Sequence, residues 1–304
     1  MNRRAFLALA SLAAGATGLR AQPLAQPLDQ TLAPPAAPEP LRRPDGPTHR
    51  RDERHFASAD GRRLYRVDVA VPVGTPPAGG WPAFVMLDGN ALFETLGAAD
   101  LALVPDAAIV GIGYDPMPRR DVDARTQDYT PPFPADDPVN PADPEPEAGG
   151  ADIFLTLLAE YLLPSLSIDF GLDPARRMLW GHSYGGLFAL NTLFKQPDLF
   201  SAYYAVSPSV RWHAPLILAL EAGSPRRAAG VSEVALLYEV LDEAALDPGR
   251  TARLGQARRV AAELLRRLQE RADIAVVERR FPGETHGSMF RIGLNAALAG
   301  PRPG

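Results

Sequence analysis

One serine in this sequence sits where a hydroxyl group could be made into a nucleophile. The segment Leu179-Trp180-Gly181-His182-Ser183-Tyr184-Gly185-Gly186-Leu187 holds a Gly-x-Ser-x-Gly pattern, with Gly181, Ser183 and Gly185 at its fixed places. The chemistry such a pattern serves is acyl transfer. A serine at a sharp strand-to-helix turn presents its oxygen outward, and small flanking residues let the backbone take the strained angles this requires. The pattern alone is common. Here an apolar strand (Arg177 to Trp180) precedes it and an apolar helix (Gly186 to Phe194) follows, and Gly186 allows that helix to pack closely. In this context the reading of Ser183 as a nucleophile is specific.

A serine hydroxyl needs a base, and the chain has five histidines. His49 and His55 fall in the linker or the first strand. His182 lies inside the turn, directed away from the nucleophile, and His213 follows too soon. In α/β sheets that carry such a turn the partners follow in the order serine, acid, histidine. That leaves His286, in the turn Pro282-Gly283-Glu284-Thr285-His286-Gly287 after the last expected strand. The acid that orients the imidazole should follow the strand before it. The segment Tyr238-Glu239-Val240-Leu241-Asp242-Glu243 offers three carboxylates; Glu243 is favoured, then Asp242, with Glu239 a further choice and a Ser-His dyad left open. The oxyanion needs two backbone donors. Tyr184, after the nucleophile, should give one. The turn Asp88-Gly89-Asn90 should give the other, from Asn90 or alternatively Gly89.

The elements that would hold these residues alternate along the chain. Strands are expected at Arg63 to Val71 (an edge strand), Ala83 to Leu87, Ala107 to Ile112, Arg177 to Trp180, Tyr203 to Val206, Val234 to Leu237 and Ala275 to Arg280. Helices are expected at Asp152 to Leu163, Gly186 to Phe194 and Arg253 to Arg271. Strands alternating with helices predict an α/β fold, with a mostly parallel central sheet and helices on both faces. From Tyr114 to Gly150 there is no periodic stretch and proline is frequent, so a long loop is expected over the carboxyl edge of the sheet, where open α/β sheets bind ligands.

Composition narrows the classes. The 304 residues carry a net charge of −5 and form no Lys/Arg-rich block in the body, which argues against nucleic acid as a partner. With no cysteine, disulfides, thiolate nucleophiles and Cys-ligated metals are excluded. There is no His-Glu-x-x-His and no glycine-rich phosphate loop, and the acidic residues near Asp136 and Glu145 sit among prolines, where a solvated loop is the simpler reading. No metal or cofactor is expected. Arg3 and Arg4 precede an apolar run from Ala5 to about Leu19 and then small residues near Ala21, the layout of an export signal of twin-arginine type over residues 1–21. Residues 22–47 read as a Pro-rich linker, and 48–304 as the folded domain. No later stretch reads as a membrane span, so the processed protein is expected to have no stable membrane association and to lie in the periplasm or outside.

The body resembles the esterase branch of the α/β-hydrolases, and most closely the periplasmic siderophore esterases that cut enterobactin and salmochelin trilactones. The similar pieces are Val85 to Ala91, Gly111 to Tyr114, Arg125-Thr126-Gln127-Asp128-Tyr129-Thr130-Pro131, Leu179 to Phe188 and Pro282 to Phe290. The resemblance implies an α/β-hydrolase fold, Ser183 as nucleophile and His286 as base. It also places Arg125 and Tyr129 near the substrate, where the Arg125 guanidinium could pair with catecholate or carboxylate oxygens. A salt bridge from Arg125 to Asp123 or Asp128 is the competing reading. The expected partner is a small-molecule ester, preferably a siderophore lactone. A general acyl-ester or thioester hydrolase of the esterase D type is the alternative, and a non-catalytic siderophore-binding protein is a rival from another class.

Overall fold

Strand β3 (Trp81–Leu87) is seven residues long and buried on both sides, as a central strand of a parallel sheet must be. Its alternation sorts the core. Ala83, Val85 and Leu87 join one apolar cluster and Phe84 and Met86 the other, because successive side chains of a strand point to opposite faces. The computed structural model describes residues 48–115, 121–133, 148–213, 216–241 and 248–300.

The strands are β1 (His49–Ala57), β2 (Leu64–Pro72), β3, β4 (Ala108–Asp115), β5 (Leu172–His182), β6 (Ala202–Val206), β7 (Ser232–Val240) and β8 (Ile274–Pro282). They form one sheet in the order β1-β2-β4-β3-β5-β6-β7-β8. The β1–β2 and β2–β4 pairs are antiparallel and the remaining pairs parallel. The helices are α1 (Gly89–Thr95), α2 (Ala98–Ala102), α3 (Val122–Tyr129), α4 (Ala151–Leu157), a π-turn at Leu158–Leu162, α5 (Leu163–Phe170), α6 (Tyr184–Lys195), α7 (Leu216–Ala222), α8 (Pro248–Gln269) and α9 (Met289–Leu298). One face of the sheet packs against residues of α3 to α6 and α8, the other against α1, α2 and α9. This is the α/β-hydrolase fold, with helices on both faces as the alternation implied.

Three expectations need correction. The strand near residues 63–71 is not an edge, because β1 pairs along its whole length. The sequence of β1, His-Arg-Arg-Asp-Glu-Arg-His-Phe-Ala, is polar and half-buried, so it gives no hydrophobic signal. The Tyr114 to Gly150 stretch is not structureless, since it contains α3. Asp121 caps that helix by accepting from the Ala124 N–H at 2.9 Å. Its buried side chains include Arg125, Thr126 and Asp128, so hydropathy could not reveal it. Third, the run Ala151–Phe170 is long and apolar enough, with a mean hydropathy of 1.5, to cross a membrane. In this fold it is a core element, burying Phe154, Leu155, Leu158, Leu162, Leu163 and Leu166.

Candidate active site

The nucleophile turn follows from close packing at the end of β5. Ser183 has φ 61° and ψ −116°, a conformation that costs a non-glycine residue energy and persists only where the surroundings impose it. Its N–H is held by the Val206 carbonyl at 2.9 Å, and its own carbonyl accepts from the Ser209 N–H at 3.1 Å. Gly181 is obligatory, because a Cβ there would lie 2.1 Å from the Gly185 carbonyl oxygen.

The Ser183 hydroxyl meets His286 Nε2 at 3.0 Å. On the far side of the ring, His286 Nδ1 donates to Glu239 Oε1 at 3.2 Å. The other oxygen of Glu239 accepts a short hydrogen bond from the Ser207 hydroxyl. Burial opposes ionisation of Glu239, but the hydrogen bonds from His286 and Ser207 outweigh it and hold the carboxyl down at about 2. Glu239 is therefore an anion at any working pH, fit to fix the imidazole tautomer and to stabilise its protonated form. The three side chains make a Ser-His-Glu chain at the carboxyl edge of β5, β7 and β8.

Among the described residues the carboxylate that meets His286 is Glu239, the third of the three choices the sequence offered and not the favoured Glu243. Glu243 and Asp242 lie outside the described residues. The register explains the choice: Glu239 pairs with Phe281 and Val240 with Pro282, so Glu239 stands level with the entrance to the turn that carries His286. His182 also has a part. Its ring is buried, and Nε2 donates to the His286 carbonyl at 2.7 Å. The two rings lie 4.7 Å apart. The base itself is half exposed, so this bond ties its backbone to the nucleophile turn.

The opposite side of the serine is built from the end of β3. Asp88 is left-handed, with φ 56°, and leads into α1. Gly89 presses on β4, where a Cβ would come within 2.4 Å of the Gly111 carbonyl carbon. The side chain of Asn90 is clamped to the backbone of Tyr114, donating to its carbonyl and accepting from its N–H, both at 2.9 Å. The Asp88 N–H is given to the Tyr129 hydroxyl at 3.3 Å, which takes it out of contention as a donor to substrate. Gly89 and Asn90 lie in the first turn of α1 and Tyr184 in the first turn of α6, where helical N–H groups have no partner inside the helix.

Arg125 and Tyr129 do not face the substrate space. The Arg125 guanidinium is buried and grips Asp88 with two bonds, at 2.9 and 3.1 Å, and reaches the His182 carbonyl at 3.3 Å. Its partner is neither Asp123 nor Asp128. Burial disfavours the Arg125 charge, and Asp88 more than restores it. Tyr129 is fully buried, with its ring 5.6 Å from the Arg125 guanidinium. Its hydroxyl is bonded to that of Tyr114, which donates to Asp128 at 3.2 Å. Asp128 also accepts from Tyr65 at 3.0 Å and Arg63 at 2.5 Å. The two residues are thus corrected from ligands to supports: they hold the Asp88 turn against the nucleophile turn.

A cavity of about 780 Å³ opens from Ser183 and His286 toward β7, β8 and α8, lined in part by Ser209, Arg211, Tyr238, Arg258 and Arg280. Sequence reasoning missed this wall. The available signal was Ser207-Pro208-Ser209, directly after the apolar strand β6 and so at the carboxyl edge. Among the described residues no group of three His, Asp or Glu side chains converges as metal ligands do.

Fold and site together define an α/β-hydrolase with a serine nucleophile turn. The chain belongs to the Esterase family, described as "Putative esterase", whose pattern matches residues 58–276. It is similar to the ferri-bacillibactin esterase BesA of Bacillus subtilis, with 36% identity over 176 residues, covering 54% of this chain and 60% of that protein. It is similar to the apo-salmochelin esterase of Escherichia coli, with 38% identity over 159 residues, covering 51% and 50%. This chain thus spans between half and three-fifths of the length of these two curated relatives. Among solved structures, the enterobactin hydrolase IroE in complex with DFP superposes with a TM-score of 0.66 at 30% identity, covering 83% of this chain and 94% of that one.

Proposed function

We propose that this protein is an exported serine carboxylic-ester hydrolase that opens ester bonds of a trilactone siderophore. The observation that carries the reaction is the unbroken line from Ser183 Oγ through His286 to Glu239, with spacings of 3.0 and 3.2 Å. His286 Nε2 takes the serine proton as Oγ attacks the ester carbonyl. Glu239 holds the Nδ1 proton and stabilises the imidazolium. The N–H groups of Tyr184 and Asn90 receive the oxyanion. His286 then gives its proton to the departing alcohol, and water, activated by the same ring, cleaves the acyl-enzyme. No step needs a cofactor. The siderophore class is supported by the relatives, whose names specify bacillibactin, salmochelin and enterobactin.

The test is a panel of intact trilactone siderophores and simple chromogenic esters, followed by chromatography, with wild type and Ser183→Ala side by side. The expected result is trilactone opening by wild type and its loss in the variant by roughly 10⁴-fold or more. Equal rates in the two proteins would sink the enzymatic reading. Fast turnover of simple esters with none of the trilactones would make it a general acyl-ester hydrolase instead. Export is supported by Arg3-Arg4 and the apolar run after them, and cell fractionation of the full chain and of an Arg3→Lys, Arg4→Lys variant tests it. Retention of the variant in the cytoplasm is expected, and identical distribution of both would overturn it.

A further inference from the structure

The charges lining the cavity do not balance in place. Glu239 is bound by His286 and Ser207. Arg280 is paired with Glu278 at 2.9 Å. Arg211, on the same wall, is exposed and makes no hydrogen bond or ion pair among the described residues. Among the described residues it is a cation on the wall of the reaction space without a counter-ion.

Its backbone is nonetheless fixed. Ser209, two positions earlier, donates its N–H to the Ser183 carbonyl, and its hydroxyl lies 3.3 Å from Ser183 Oγ. Two residues of chain span at most about 7 Å, so Arg211 starts close to the nucleophile. Val210 and Trp212 on either side of it are buried. The Trp212 ring packs edge-on against Tyr184 at 5.5 Å, and the next residue, His213, is stacked on Phe133 at 3.7 Å. Both neighbours are thus anchored while Arg211 itself is exposed. Arg125, the other arginine beside the nucleophile turn, is consumed by Asp88 and offers no such site.

We propose that Arg211 is a specificity-determining residue that recognises an anionic oxygen group carried a few bonds from the ester carbonyl. The guanidinium fork presents parallel N–H donors that match a carboxylate or a catecholate. The inference rests on the ester-hydrolase reading and deepens it: the preferred substrates are acidic esters, of which a catecholate siderophore is one member.

The test compares the 4-nitrophenyl monoester of adipic acid with its methyl ester, two substrates of like size that differ by one negative charge. The readout is the ratio of their kcat/KM values. Wild type favours the acidic ester. Arg211→Gln reduces that ratio by roughly tenfold or more, the usual worth of a hydrogen bond between charged groups. Arg211→Lys keeps a preference for the acid, because the charge remains, and added salt narrows the wild-type ratio. A ratio unchanged in Arg211→Gln overturns the assignment, as does equal loss in the Gln and Lys variants. Those outcomes leave the hydrolase reading standing, since both esters still turn over. If wild type cleaves neither ester, the hydrolase reading falls and this inference falls with it.

Discussion

The two sides of Ser183 are built on opposite principles. On the Asp88 side, the polar groups are committed, and all but the half-buried Arg63 are buried: Arg125 to Asp88 and the His182 carbonyl, Tyr129 to the Asp88 N–H, and Tyr114, Tyr65 and Arg63 to Asp128. On the His286 side, the base is half exposed, a cavity adjoins it, and Arg211 has no partner among the described residues. One side is sealed and the other open. On the proposed mechanism the sealed side has only to keep backbone donors still, which costs least when nothing can rearrange. The open side has to admit substrate, release product and let a proton travel, so it cannot be locked.

The largest expected effect lies on the open side. Glu239→Gln leaves the shape of the acid but removes its charge, and kcat should fall by roughly 10³–10⁴-fold, the usual cost of losing the acid of such a triad. Steady-state kinetics on a chromogenic ester measures this. A loss below tenfold would show that Ser183 and His286 work as a dyad.

The next is on the sealed side and should appear first as stability. Arg125→Met leaves the Asp88 carboxylate buried and unpaired, which typically costs about 3–5 kcal/mol. Denaturant unfolding should show that loss, and an Asp88→Asn, Arg125→Met double variant should recover part of it. A single variant of unchanged stability whose KM alone rises would return Arg125 to the role of a substrate ligand.

A smaller effect concerns pH. The Asp128 carboxyl is pushed up to about 6 by burial, against the pull of Arg63, Tyr65 and Tyr114, whereas an unfolded aspartate titrates near about 3.9. The folded state then binds the proton more tightly, so stability falls as pH rises from about 4 to about 6. Two units correspond to ~3 kcal/mol as an order of magnitude. Comparing wild type with Asp128→Asn at pH 4 and pH 7, only wild type should carry this slope. Parallel profiles would show that the sealed side does not titrate.

The smallest is at the junction of the two sides. His182→Leu removes the hydrogen bond to the His286 carbonyl, worth about 1 kcal/mol, or roughly fivefold in kcat. His182→Gln keeps an N–H donor and should restore most of the rate. If Gln and Leu behave alike, the contact is packing and not positioning.

What could be read in the sequence divides along the same line. Ser183 was legible because glycine spacing carries a backbone requirement, and His286 because only five histidines competed. The acid was not, because Glu239, Asp242 and Glu243 lie within five residues and only the register of β7 on β8 decides which one is level with the base. Arg125 and Tyr129 were placed near the site but given the wrong task. Their partner Asp88 is about forty residues away in sequence, and local pattern says nothing of such pairings. The polar strand β1 and the polar helix α3 escaped for a related reason: what they bury is hydrogen-bonded, not hydrophobic.

The strand order has an outcome for how this site is divided along the chain. The contacts described for the sealed side, from Arg63 to Tyr129, are encoded before Ser183, and the residues that line the cavity beyond Ser183 itself, from Tyr184 to His286, are encoded after it. The serine is a seam between two stretches of sequence with separate duties. Exchanges along the 207–211 and 254–261 stretches can change what is admitted while the Asp88–Arg125 contacts stay untouched. A scaffold partitioned in this way lets a lineage remodel the cavity wall while inheriting the same grip on the Asp88 turn.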